Sequence, residues 1–274
     1  QARLFRIAAD GVIGRHAKAL SDLAERFGFS EGMAEKRTDW RRILADLVGA
    51  ARLNGLGGED LKVSADRSWA TLREALTSPT TSAAVLDARL CTAIASALAG
   101  LGAGDDVGVT NTAIESLREA DRLLGRQQQA PWSLWARLSK VKASKAMDAL
   151  LVPVRDAASL HPEHPRLHED IETFIREMFA AAAGAMFEVQ DYKRARGLVD
   201  FVDQEAEALA LLADPAVAAR VAAGTDLLLV DEFQDTSPIQ LALFMRLAAV
   251  VPRTLLVGDP KQAIYAFRCA DIFT

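Results

Sequence analysis

The sequence predicts an α/β protein in which a long helical block precedes a short parallel strand–helix–strand unit. Three observations carry this. Leu227-Leu228-Leu229-Val230 is apolar without interruption and is followed at once by Asp231-Glu232. That reads as a strand buried on both faces whose C-terminal end carries ligand-facing acids. Thr254-Leu255-Leu256-Val257 repeats the design and leads into Gly258-Asp259-Pro260-Lys261-Gln262. Between the two, residues 238–249 place Ile239, Leu241, Leu243, Phe244, Leu247 and Ala248 at helical spacing. Strand, helix and strand in that order bring both polar strand ends to one edge of a sheet.

Upstream, the helical spacing is nearly continuous. Residues 2–29 carry Leu4, Phe5, Ile7, Val12, Ile13, Leu20, Leu23 and Phe27, with a break expected near Gly11 or Gly14. A second helix over 33–53 presents Trp40, Ile43, Leu44, Leu47 and Val48, and Asn54-Gly55 and Gly57-Gly58 stop it. Residues 66–76 and 81–99 read as two helices split by Ser78-Pro79, and 100–108 as a loop. Thr110 or Asn111 caps the next helix. Residues 132–151 read as one helix with Trp135, Leu138 and Val141 inward. The segment 161–165 is a break before a long helix over about 167–192. Asp200 caps a helix to Leu212, and Pro215 opens a short one to about Ala223. The composition shift near 193–200 is the expected domain boundary.

Composition narrows the classes. The chain has 274 residues, half of them apolar and a quarter charged, which is enough for a sizeable core and up to two domains. The net charge of −5 argues against strong nucleic-acid binding by this chain alone. No apolar run approaches the length of a membrane span, so no membrane partner is expected. The chain opens on Gln1 without a signal segment, which suggests a piece of a longer protein. Two cysteines, Cys91 and Cys269, make no disulfide framework or zinc site and fit a reducing, cytoplasmic setting.

The run Asp231-Glu232-Phe233-Gln234-Asp235-Thr236-Ser237-Pro238-Ile239-Gln240 resembles motif II of UvrD/Rep-type superfamily 1 DNA helicases. Gly258-Asp259-Pro260-Lys261-Gln262-Ala263-Ile264-Tyr265-Ala266-Phe267-Arg268-Cys269-Ala270-Asp271 resembles their motif III, with Asp-Pro-Lys-Gln leaning towards the RecB/AddA-like helicase–nuclease branch. Ala263 stands where the family usually has Ser, and Cys269 where it usually has Gly. Gly197-Leu198-Val199-Asp200-Phe201-Val202-Asp203 resembles an element that precedes motif II, although Gln204 departs from the usual Leu. Read from the residues alone, Asp200 is an ordinary helix cap.

The resemblance implies residues 1–196 as a helical, 1B-like insertion and 197–274 as a partial RecA-like 1A domain of the P-loop class. It implies an ATP-dependent DNA helicase, a 3′–5′ single-stranded DNA translocase of recombination and repair, with a nuclease or partner subunit possible. ATP and Mg²⁺ are the implied cofactors, and single- and double-stranded DNA the implied partners. Asp231 would hold Mg²⁺ through water, Glu232 would orient the attacking water, and Gln262 would contact the γ-phosphate. Tyr265, Phe267 and Arg268 would meet single-stranded DNA, and Arg268 would also link it to the nucleotide. No Gly-Lys pair occurs anywhere, so the phosphate-cradling loop is absent from these residues and the chain alone is expected to be inactive as an ATPase. Without neighbouring strands, the two predicted strands should leave apolar surface exposed.

Two weaker clusters have ordinary readings. Trp132 and Trp135 with Arg137, Lys140, Lys142 and Lys145 suggest either a DNA face or core tryptophans beside solvated lysines. His161, His164 and His168 lie around two prolines and lack an evident third fixed ligand for zinc. Two rival functions remain: a degenerate helicase-like module that binds DNA or a partner without hydrolysis, and a P-loop ATPase that does not act on DNA.

Overall fold

The computed structural model describes residues 2–29, 38–102, 107–125 and 129–262. Twelve α-helices and two strands are seen among them. They run α1 (Ala2–Ala8), α2 (Asp10–Phe27), α3 (Trp40–Leu53), α4 (Gly58–Ala75), α5 (Ala83–Leu101), α6 (Gly108–Gly125), α7 (Trp132–Leu138), α8 (Val152–Ala158), α9 (Pro165–Arg194), α10 (Phe201–Leu211), α11 (Pro215–Gly224), β1 (Leu228–Val230), α12 (Pro238–Ala248) and β2 (Thr254–Leu256). The described residues are therefore mostly helical, with one small parallel sheet among them.

The chain forms two compact units. One gathers Gln1–Arg15, Arg41–Val63 and Phe179–Thr274, the other His16–Trp40 and Ser64–Met178. The division falls inside α2, α4 and α9.

The second unit is built around α5, α6, α7 and α8. Leu90, Ile94, Leu117, Trp135, Leu138 and Leu151 are fully buried there. Each large side chain so buried contributes about 1.5–3 kcal/mol. Helix α5 corrects the expectation that no segment approaches a membrane span. It has 19 residues with a mean hydropathy of 1.5, long and apolar enough by length and composition. Its apolar side, Leu86, Leu90, Ala93, Ile94 and Ala97, is core packing in this unit, and its Asp87 accepts hydrogen bonds from Arg166.

The tryptophans follow the core reading. Trp132 and Trp135 are buried, and the His164 ring lies edge-on to both. His164 Nδ1 accepts the Arg166 backbone N–H at 3.2 Å, so Nε2 carries the proton it directs at Asp87, 3.3 Å away. His168 Nε2 meets the Pro162 carbonyl at 2.8 Å. Asp170, also buried, accepts from Trp132 Nε1 and Arg26.

The single helix expected over 132–151 is not formed. Helix α7 ends at Leu138, a non-helical stretch follows, and a 3₁₀ turn covers Asp148–Leu151. Side chains take over the backbone there. Thr110 Oγ1 accepts the Ser144 N–H at 3.0 Å, and Asp148 Oδ1 accepts the Ala143 N–H at 3.2 Å. Arg155 Nη1 then donates to the Val141 carbonyl. Lys140, Lys142 and Lys145 lie along this irregular stretch rather than on one helix face. Thr110 is thus a buried tie, not a cap. Elsewhere the boundaries shift: the first helical stretch breaks at Ala9, leaving Gly11 and Gly14 inside α2, and α4 begins at Gly58.

In the first unit, α2 and α9 approach closely at Gly184, where an added Cβ would lie 3.2 Å from Val12 Cγ1. Strands β1 and β2 pair in parallel, with Leu228 opposite Thr254, Leu229 opposite Leu255 and Val230 opposite Leu256. The burial on both faces that the uninterrupted apolar runs suggest is not seen, and the exposure expected of two strands without neighbours is. Val230 is buried, but Leu229 is 57% and Leu255 50% exposed. Among the described residues the sheet has only these two strands, which leaves their outer faces largely open.

Candidate functional site

The sheet ends where the two polar runs begin. The parallel ladder extends past the strands: Val257 N donates to the Val230 carbonyl and Phe233 N to the Val257 carbonyl, each at 2.9 Å. This brings Asp231–Asp235 alongside Gly258–Gln262. The expected juxtaposition of the two strand ends is therefore present for Asp231, Glu232 and Gln262. Tyr265, Phe267, Arg268 and Cys269 lie outside the described residues.

Asp231 and Glu232 are both exposed at the tip. Asp231 Oδ1 accepts the Glu232 backbone N–H at 2.9 Å. Glu232 sits at φ 52°, ψ 41°, the one non-glycine residue with positive φ among the described residues. This left-handed step turns the chain sharply out of β1 into a 3₁₀ turn at Phe233–Asp235. The Glu232 side chain is exposed at that turn.

Gln234 meets it there. Its Nε2 donates to Glu232 Oε2 at 2.5 Å, and its Oε1 accepts the Asp259 backbone N–H at 3.0 Å. Asp259 carries the connection on: its Oδ1 accepts the Lys261 N–H at 2.9 Å and its Oδ2 accepts from Gln262 Nε2 at 3.1 Å. One unbroken path thus runs from the Glu232 carboxylate to the Gln262 amide. Gly258 makes room for it. A Cβ there would lie 2.6 Å from Gln234 Oε1 and 3.1 Å from Gln234 N. Gln234, Asp259 and Gly258 have no local signature that marks them for these roles. Their roles depend on a contact between segments 25 residues apart.

Two supports hold this tip. Ser237, buried, caps α12 by accepting the Gln240 N–H, while Gln240 Oε1 accepts the Ser237 N–H. Gln240 Nε2 also donates to Glu205 Oε1 on α10 at 2.7 Å. Helix α10 is itself capped by Asp200, with Asp203 completing a reciprocal box. The same two acids bind Arg52 and Lys193. Arg52 Nη2 reaches Asp200 Oδ1 at 2.7 Å and Asp203 Oδ1 at 3.0 Å, and Lys193 Nζ bonds to both acids. Burial alone would raise the Asp200 pKa. Hydrogen bonds from Arg52 and Lys193 outweigh it and hold the carboxyl well below the usual aspartate range. So the element read as an ordinary cap is a cap and an ion cluster at once. A cavity of about 540 Å³ lies beside this cluster, lined by Leu4, Phe5, Val48, Val189 and Leu198, and away from the strand-end acids.

The donor set suits a magnesium nucleotide in part. Among the described residues no group of three or more His, Cys, Asp and Glu could enclose a metal. Mg²⁺ needs no such cage, because it keeps several waters and takes one or two carboxylates plus substrate phosphates. Exposed Asp231 and Glu232 meet that requirement.

Paired acids at the carboxyl end of one parallel strand, beside a polar turn from the next, stand at the edge where open α/β sheets bind ligands. Likeness to known proteins places the chain more closely. Residues 114–274, more than half of it, match the UvrD/REP helicase N-terminal domain, and the chain belongs to that family. Within it the chain is of the RecB/AddA branch. It is 34% identical over 193 residues to the RecBCD enzyme subunit RecB of Escherichia coli, covering 62% of this chain and 16% of that protein. The RecB subunit of Mycolicibacterium smegmatis is 35% identical over 187 residues, covering 64% of this chain and 16% of that protein. An ATP-dependent helicase/nuclease polypeptide of Lacticaseibacillus casei is 34% identical over 162 residues, covering 51% and 13% respectively. The chain thus spans between about one-eighth and one-sixth of the length of these relatives.

Proposed function

We propose that this chain supplies the metal-facing and water-orienting half of the ATP site in a DNA helicase that moves 3′ to 5′ on single-stranded DNA during recombination or repair. The observation that carries the reading is the exposed Asp231–Glu232 pair at the end of β1, with Glu232 on a left-handed backbone turn and its carboxylate bonded to Gln234. Residues 1–196 are assigned as the helical 1B-like insertion and 197–274 as the partial 1A domain. Asp231 holds Mg²⁺ through its water shell, Glu232 orients the attacking water, and Gln262 faces the γ-phosphate. When bound, Mg²⁺ neutralises charge on the phosphates during transfer. Tyr265, Phe267 and Arg268 are assigned to single-stranded DNA, where rings stack on any base. A RecB-like protein of this kind works with partner subunits, a nuclease activity and duplex DNA.

The test is ATP hydrolysis by the full-length protein, with and without single-stranded DNA. Strong stimulation by DNA, reduced at least about a hundredfold by Glu232→Gln, is the expected result. No hydrolysis in the unsubstituted protein, or an active Glu232→Gln variant, would reject this reading.

A further inference from the structure

We infer that Gln234 is a positioning residue that ties the Glu232 carboxylate to the turn bearing Gln262, so that the two ends of the ATP site move as one. The inference rests on the helicase reading of Asp231 and Glu232. Three observations support it. The Gln234 amide uses both of its ends: it donates to Glu232 Oε2 at 2.5 Å and accepts from the Asp259 N–H at 3.0 Å. A side-chain amide offers a donor to a carboxylate and an acceptor to a backbone N–H at once. Second, the receiving turn is built around that amide. Gly258 leaves the space that the Gln234 side chain fills, and an added Cβ would press on Gln234 Oε1, on the Gln234 backbone and on Phe233. Third, Glu232 is held in a left-handed conformation that costs of order 1 kcal/mol or more. An exposed carboxylate on such a turn has many rotamers open to it, and the Gln234 bond selects one.

The functional consequence follows from geometry. Asp259 receives the Gln234 contact through its N–H and passes it on through its carboxylate to Gln262 Nε2. A shift of the Gln262 turn on loss of a phosphate contact therefore moves the acceptor side of the Gln234 amide. The donor side then moves the Glu232 carboxylate. Orientation of the water and contact with the γ-phosphate are coupled through a single side chain rather than set separately.

The experiment uses the full-length protein with Gln234→Met, Gly258→Ala, both together, and Glu232→Gln as reference. Steady-state ATPase with single-stranded DNA is read beside hydrogen exchange of the Asp259 amide without nucleotide. Expected for Gln234→Met is a kcat lowered about tenfold with KM for ATP within about twofold, since misplacing a catalytic group affects the chemical step more than binding. Gly258→Ala, which crowds the same amide out, should do the same. The double variant should be no worse than the poorer single, because both remove one interaction. The Asp259 amide should exchange faster in Gln234→Met whether or not the protein hydrolyses ATP.

A Gln234→Met protein with kcat within about twofold of the unsubstituted protein, where Glu232→Gln is inactive, overturns the inference. Losses that multiply in the double variant also overturn it. If the unsubstituted protein hydrolyses no ATP, the helicase reading itself fails and the role of Gln234 in hydrolysis falls with it. Exchange at Asp259 then still decides whether the tie exists: an unchanged rate in Gln234→Met removes it.

Discussion

Glu232 and Asp200 show how single residues set this site. A non-glycine residue in the left-handed region is uncommon, and here it is the acid expected to do the chemistry. The acid pair itself is legible from the sequence, because an apolar strand followed by two carboxylates has a local signature. The backbone turn beneath Glu232 and the Gln234 bridge are not, since both depend on a neighbouring strand that no local pattern reports. Asp200 is legible only as a cap. Its second role requires Arg52 and Lys193, brought in from elsewhere along the chain, and Lys193 is almost completely buried. Lys193→Met keeps most of the apolar stem and removes the charge between two acids. Taking one member from a buried ion cluster costs about 3–5 kcal/mol, and the urea midpoint should fall accordingly. A loss below about 0.5 kcal/mol would show that Arg52 alone holds the cluster. The pH dependence follows from the direction of the Asp200 shift. Its folded pKa lies below the ordinary 3.8, so its stabilisation is fully present above that value and is lost as pH falls through the folded pKa. Asp200→Asn should therefore be less stable near neutrality, with a stability curve that flattens below about pH 4 relative to the parent.

Among the elements, α12 and the failed helix at 132–151 teach opposite lessons. Helix α12 is readable because Ser237, Pro238 and Gln240 form a local start signal ahead of an apolar stripe, and the chain obeys it. The 132–151 stretch also has helical spacing, but Thr110 and Asp148 compete for its backbone N–H groups, and α7 ends at Leu138. Pattern alone gives no weight to a side-chain acceptor 34 residues away. The relation of α12 to α10 can be tested through Gln240, which serves the cap with Oε1 and Glu205 with Nε2. Gln240→Glu preserves the acceptor for Ser237 and is itself a favoured residue at this capping position. It also sets a carboxylate against Glu205. The variant should lose about 1 kcal/mol despite its good local propensity, and adding Glu205→Gln should restore most of it. Equal stability of all three proteins in chemical denaturation would show that the two helices are held by packing alone.

At the scale of the whole molecule, the sheet and the missing phosphate loop point the same way. Strands β1 and β2 and their flanks expose Leu227, Leu229, Leu255 and Val257, surface that an α/β sheet ordinarily covers with helices and further strands. The order of helical block, strand, acid pair, helix and second strand is readable from apolar patterning. The exposure of those strands is readable as well, because two buried-type strands without neighbours in the same 274 residues cannot cover their apolar faces. The chemistry has a parallel gap. The chain offers acids to a metal and Gln262 to a phosphate, but no Gly-Lys-Ser/Thr loop to cradle the phosphates. Its net charge of −5 gives little general attraction for DNA or for a nucleotide. Carboxylates cannot replace that loop, since without its backbone N–H groups and lysine the nucleotide's negative charge faces Asp231 and Glu232 uncompensated. The 274-residue chain alone should therefore hydrolyse ATP no faster than its own Glu232→Ala variant, with or without single-stranded DNA. The full-length protein should show DNA-stimulated hydrolysis in the same assay. Hydrolysis by the isolated chain above the Glu232→Ala background would mean that these residues complete a phosphate site by some other means, and the division of the ATP site proposed here would be wrong.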